Sequence, residues 1–63
     1  MIYRVVDIYD GYDDILYKGD CRNAALRAVR QRENDTDGEC AVLIEERVLN
    51  EYGEYEWKVN NEI

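Results

Sequence analysis

The chain reads as an α+β domain of order ββαββ, a four-stranded antiparallel sheet with one helix packed on one face. Three observations predict it. Asp10-Gly11 separates two segments rich in β-branched and aromatic residues, residues 21–33 repeat their apolar side chains at helical spacing, and residues 54–59 alternate between charged and apolar.

Residues 2–9 (IYRVVDIY) have strand composition. Asp-Gly suits a type I′ hairpin turn, in which both central residues need positive φ. Residues 12–18 (YDDILYK) then return as the second strand. A two-residue loop pairs Tyr9 with Tyr12 and Val6 with Ile15, but sets Asp7 opposite Asp14. Like charges directly opposed are unfavourable. A longer loop or a bulge would relieve them, so the register stays open.

Gly19 ends the strand and Asp20 is the expected N-cap, its carboxylate accepting from a first-turn N–H. In a helix over 21–33, Cys21, Ala25, Ala28 and Val29 share one face, with Ala24 and Leu26 at its edges and Asn23, Arg27 and Arg30 toward water. Arg30 and Arg32 suit the negative end of the helix dipole. Residues 34–38 (NDTDG) are a loop by composition. Residues 39–49 make the third strand, with Cys40, Val42 and Ile44 on one side and Ala41, Leu43 and Glu45 on the other. Asn50 to Gly53 turn the chain into the fourth strand, 54–59, and residues 60–63 are expected to fray.

This layout places Ile2, Val6, Ile8, Ile15, Val42, Ile44, Tyr55 and Trp57 beneath the helix. It leaves Tyr3, Val5, Tyr9, Leu16 and Leu43 on the bare face of the sheet. An apolar and tyrosine patch of that kind marks a contact site. A 63-residue chain buries only about 60% of its unfolded surface and gains from a partner. These five residues are therefore expected to form a two-fold homodimer interface.

Composition excludes most chemistry. With neither serine nor histidine, no Ser-His or Cys-His pair can form, and no catalytic residue is assigned. Two cysteines without histidine cannot close a zinc site. The stretch Glu33–Gly38 spaces its acids like a calcium loop, but a bidentate glutamate would be needed where Ile44 stands. The glycines are isolated, so no phosphate loop is present. No metal and no cofactor are expected. The opening MIYRVVDIYD has an acid at position 7 and no long apolar run, which argues against a signal peptide or membrane span and for a cytoplasmic protein with reduced Cys21 and Cys40. In that compartment Asn34-Asp35-Thr36 is not a glycosylation site.

What remains is charge. The net charge is −7, divided as −3 over residues 1–17, +4 over 18–32 and −8 over 33–63. Carboxylates along one strand face recur about every 6.6 Å, close to twice the roughly 3.4 Å phosphate spacing of a duplex strand. An acidic hairpin carrying Glu45, Glu46, Glu51, Glu54 and Glu56, with Tyr52 as an anchor, is thus expected to dock in the basic groove of a nucleic-acid-processing protein. In size, acidity and lack of catalytic groups the chain resembles the small inhibitors of phages and mobile elements, anti-CRISPR and anti-restriction proteins among them. That resemblance is of composition alone and carries over no site; it implies a viral inhibitor acting in the host cytoplasm. The alternatives are the self-associating subunit described above and weak RNA or DNA binding through Arg22, Arg27 and Arg30, which the net charge disfavours.

Overall fold

The computed structural model describes residues 1–11 and 13–60. The expected Tyr9–Tyr12 pair and the fraying of residues 61–63 lie outside the described residues. The elements are β1 (Tyr3–Asp7), β2 (Asp14–Gly19), α1 (Arg22–Thr36), β3 (Val42–Leu49) and β4 (Tyr55–Val59). The strands form one antiparallel sheet in the order β2-β1-β3-β4, and α1 packs on one face, against β1, β2 and, less closely, β3. The α+β, ββαββ architecture is therefore the one the sequence predicts.

The first hairpin turns where Asp-Gly requires it. Asp10 (φ 69°) and Gly11 (φ 79°) both occupy the left-handed region, within a 3-10 turn over Tyr9–Gly11. Val6 faces Ile15 and Asp7 faces Asp14, so the opposed acids are retained. One step further the ladder bulges: Val5 faces Tyr17 and Leu16 is the extra residue. Leu16 and Tyr17 consequently both pack on the helix side.

The helix departs from expectation at both ends. Its N-cap is Cys21, extended (φ −98°) and without a side-chain cap bond, not Asp20. The Cys21 N–H instead donates to the Tyr17 hydroxyl, 3.1 Å away. The Tyr17 ring lies over Gly19, where a Cβ would come within 2.5 Å of that hydroxyl. At the other end the helix continues to Thr36, because local bonds carry it through Asn34-Asp35-Thr36. The Thr36 hydroxyl donates to the Arg32 carbonyl (2.8 Å) and the Gln31 amide to Asp35 (3.0 Å). Asp37 (φ 53°) ends it in the left-handed conformation, and the amides of Asp37 and Gly38 both reach the Glu33 carbonyl.

The face assignment of the first hairpin is inverted. Beneath the helix lie Tyr3, Val5, Leu16, Tyr17, Val42 and Ile44, packed with Ala25, Leu26, Ala28 and Val29. Val42 and Ile44 are where the alternation puts them. Val6, Ile8, Ile15, Tyr55 and Trp57 lie on the opposite face, because residues directly paired share a face and neighbours alternate. β1 is apolar at both parities, so its alternation selects neither face; Asp7, which must face α1 to reach Arg32, decides it.

The β3–β4 turn is locked by Asn50. Its side-chain oxygen accepts the N–H groups of Tyr52 (2.9 Å) and Glu54 (3.0 Å), while Gly53 supplies the positive φ of 80°. This hairpin runs past the end of β1 and elongates the molecule to 40 × 25 × 17 Å. The radius of gyration is 12.1 Å, against about 10.6 Å for a compact domain of this length. Among the described residues the buried apolar set is small: Val5, Val6, Ala25 and Ile44. No helix among them is long and apolar enough to cross a membrane.

Candidate functional site

The residues expected to form an acidic docking row do not share one surface. Glu45 lies on the helix-free face, where one of its oxygens accepts from Nε (2.9 Å) and Nη2 (2.6 Å) of Arg4. Glu46 and Glu56 point to the other face, and Lys58, paired with Glu46 across the ladder, interrupts that row. Glu46 also accepts from the Asn60 side-chain amide (3.2 Å). Glu51, Tyr52 and Glu54 are exposed at the hairpin tip, with Tyr52 at 80% exposure. The row is broken for a plain reason: strand neighbours alternate faces, so Glu45 and Glu46 cannot act together.

The expected self-association patch is likewise dispersed. Val5 is fully buried under α1, and Tyr3 and Leu16 pack against the same core. Tyr9 is exposed in the first turn, and Leu43 alone of the five lies on the helix-free face. That face does exist, with other residues. Ile15, Val6, Leu43 and Ile8 form its apolar half around a shallow hollow of 140 Å³ walled by Arg4 and Glu45. Its other half carries cations stacked on rings. The Arg4 guanidinium sits 4.3 Å from the Trp57 ring centre, the Lys18 ammonium 5.8 Å from it, and Arg47 lies 4.1 Å from the Tyr55 ring.

The acids gather elsewhere, at one pole. The β1–β2 turn, the C-terminal end of α1 and the following loop meet there, and two open grooves are lined by Asp10, Asp13, Asp14, Asp35, Asp37 and Glu39. At their floor Asp7 is an almost fully buried carboxylate. It accepts the backbone N–H of Tyr9 (3.0 Å) and of Ala41 (3.1 Å) on one oxygen and Nε of Arg32 (2.7 Å) on the other. The Tyr9 amide, then Arg32, then the Ala41 amide hold its carboxyl below the usual carboxylate range. The bond to Asp7 raises the Arg32 guanidinium above its own ordinary value, and Arg32 also reaches Asp14 (2.8 Å). Seven carboxylates and one guanidinium leave −6 at this pole, against −7 for the whole chain. The negative end of the helix dipole adds to the field.

Charge counting along the chain missed this pole because its acids come from two segments that only the fold joins. A weak signal was present in the two Asp-rich stretches, 10–14 and 35–39. Among the described residues no group of three His, Cys, Asp or Glu side chains converges to hold a metal ion. Cys21 is an exposed free thiol rather than a buried one, and Cys40 is half-buried and free. On the helix, Arg22, Arg27 and Arg30 are exposed and make no ion pair among the described residues.

No protein-family model, no curated protein and no solved structure matches this chain.

Proposed function

We propose that this chain is a small, non-enzymatic protein-binding module that docks its acidic pole on the basic, nucleic-acid-binding surface of another protein. It would act there as an inhibitor presenting the charge of a polyanion, in the manner of the inhibitors that mobile elements carry. The observation that supports this reading is the segregation of charge: nearly all of the net −7 lies at one pole. Arg32, the cation within it, is engaged by Asp7 and Asp14. A one-signed surface focuses field lines and steers association with an oppositely charged partner.

The test is capture from the heparin-retained protein fraction of the native host. Wild type is compared with a pole variant (D10N/D13N/D35N/D37N) and a tip variant (E51Q/E54Q). A partner retained at about 50 mM salt and lost at about 500 mM, competed by duplex DNA, and absent with the pole variant alone is the expected result. A partner indifferent to salt and to the pole substitutions overturns the proposal.

One observation favours a second reading. Ile8, Ile15, Leu49, Tyr55 and Val59 are exposed on the helix-free face, with Ile15 at 54%. An apolar surface of that kind suits a protein partner irrespective of charge. Capture that survives high salt and the pole variant but fails in I15D would support this reading over the first.

A further inference from the structure

We propose that β4 pairs antiparallel with β4 of a second copy about a two-fold axis at Trp57, joining two four-stranded sheets into one of eight strands. The surface is the outer edge of the sheet, distinct from the acidic pole, and β4 occupies that edge in the order β2-β1-β3-β4. α1 packs toward the β2 side and leaves this flank to the strand.

Hydrogen-bond parity defines which groups the edge offers. The Asn60 N–H donates to the Ile44 carbonyl (2.7 Å) and the Asn50 N–H to the Glu54 carbonyl (2.8 Å), so even-numbered residues of β4 bond inward to β3. In an antiparallel ladder the intervening residues then direct their N–H and C=O groups the other way. Tyr55, Trp57 and Val59 therefore present their backbone outward, where no strand among the described residues lies. Such an edge is a template for another strand.

Charge selects the register and the occupant. Pairing must set odd-numbered residues against odd-numbered ones. Centred on Trp57, it sets Tyr55 against the other copy's Val59 and Glu56 against its Lys58, each twice by symmetry. Shifting the register by two residues either way centres the pair on Glu56 or on Lys58 and sets that charge against its own copy; the Glu56-centred register keeps two Glu54–Lys58 pairs but closes on two opposed carboxylates at the axis. Opposed unlike charges and aromatic–β-branched pairs both favour a ladder, and like charges oppose it. The segment EYEWKV thus opposes unlike charges with no like-charged pair in one register alone. An isologous contact of this kind closes as a dimer. It also adds buried area to a chain whose apolar core is small.

The test is sedimentation equilibrium at about 100 µM, since an interface under roughly 1,200 Å² is of the weak class. Wild type should exceed the 7.5 kDa monomer mass and approach twice that value. Glu56→Lys leaves only cations along that side of the strand, and Lys58→Glu only anions. Each variant alone should associate about tenfold more weakly. Mixed in equal amounts the two should recover the wild-type mass, which a folding defect would not produce. Far-UV circular dichroism checks the fold of each. A wild type that stays at 7.5 kDa, or a dimer indifferent to both substitutions, overturns the proposal. Neither outcome bears on the acidic pole, whose partner binding is read separately.

Discussion

Asp7 and Asp14 stand directly opposite each other on β1 and β2, and Arg32 of α1 bonds both, at 2.7 and 2.8 Å. The strand register alone would make this pair repulsive. The guanidinium converts it into a clamp between the helix and the first hairpin. Arg32→Met should lower the melting temperature clearly more than Arg30→Met, because Arg30 makes no such bonds among the described residues. Adding Asp14→Asn to Arg32→Met should recover part of the loss. Equal effects of the two arginine substitutions would contradict the clamp.

The same clamp dictates a pH dependence. The Asp7 carboxyl titrates lower in the folded chain than in the unfolded one. Its contribution to stability is then complete above the unfolded carboxylate value, about 3.9, and is lost as pH falls through the lowered folded value. Urea unfolding of wild type and Asp7→Asn should therefore show a stability gap that is constant at neutral pH and closes in acid. A gap that widens below pH ~4 would reverse the sign and refute the assignment.

Face assignment is open to direct test. Ile44→Ala removes a core side chain at 5% exposure and should cost about 2–5 kcal/mol. Ile15→Ala acts at 54% exposure on the helix-free face and should fall within about 0.5 kcal/mol of wild type. Denaturant midpoints at unchanged slope measure both.

Asn50 organises the projecting hairpin through two accepted N–H groups. Asn50→Ala should cost about 1–2 kcal/mol, whereas Asn50→Asp keeps the accepting oxygen and should cost little. Amide exchange at Tyr52 and Glu54 reads the effect locally, and unchanged protection in the alanine variant would show that the turn holds without it.

Gly19 is required by a neighbour rather than by its own backbone. A methyl group there meets the Tyr17 hydroxyl at 2.5 Å and should displace the ring from the Cys21 amide. Gly19→Ala should cost about 1 kcal/mol, and Gly19→Ala in a Tyr17→Phe background should cost less.

The order of elements, the Asp10-Gly11 turn and the β3 alternation of Val42 and Ile44 were legible along the chain, because turn chemistry and period-two burial are local. The candidate surfaces were not. β1 carries apolar residues at both parities, so only the demand of Arg32 for Asp7 decides which side of β1 meets the helix. The bulge at Leu16 then carries that choice into β2. Pairing between distant segments draws Asp10, Asp13 and Asp14 to Asp35, Asp37 and Glu39, and splits Glu45 from Glu46. Local composition determined which strands and helix form. Long-range hydrogen bonds and one ion-pair clamp determined which side chains share a surface, because a strand's two faces are equivalent until something packs against one of them.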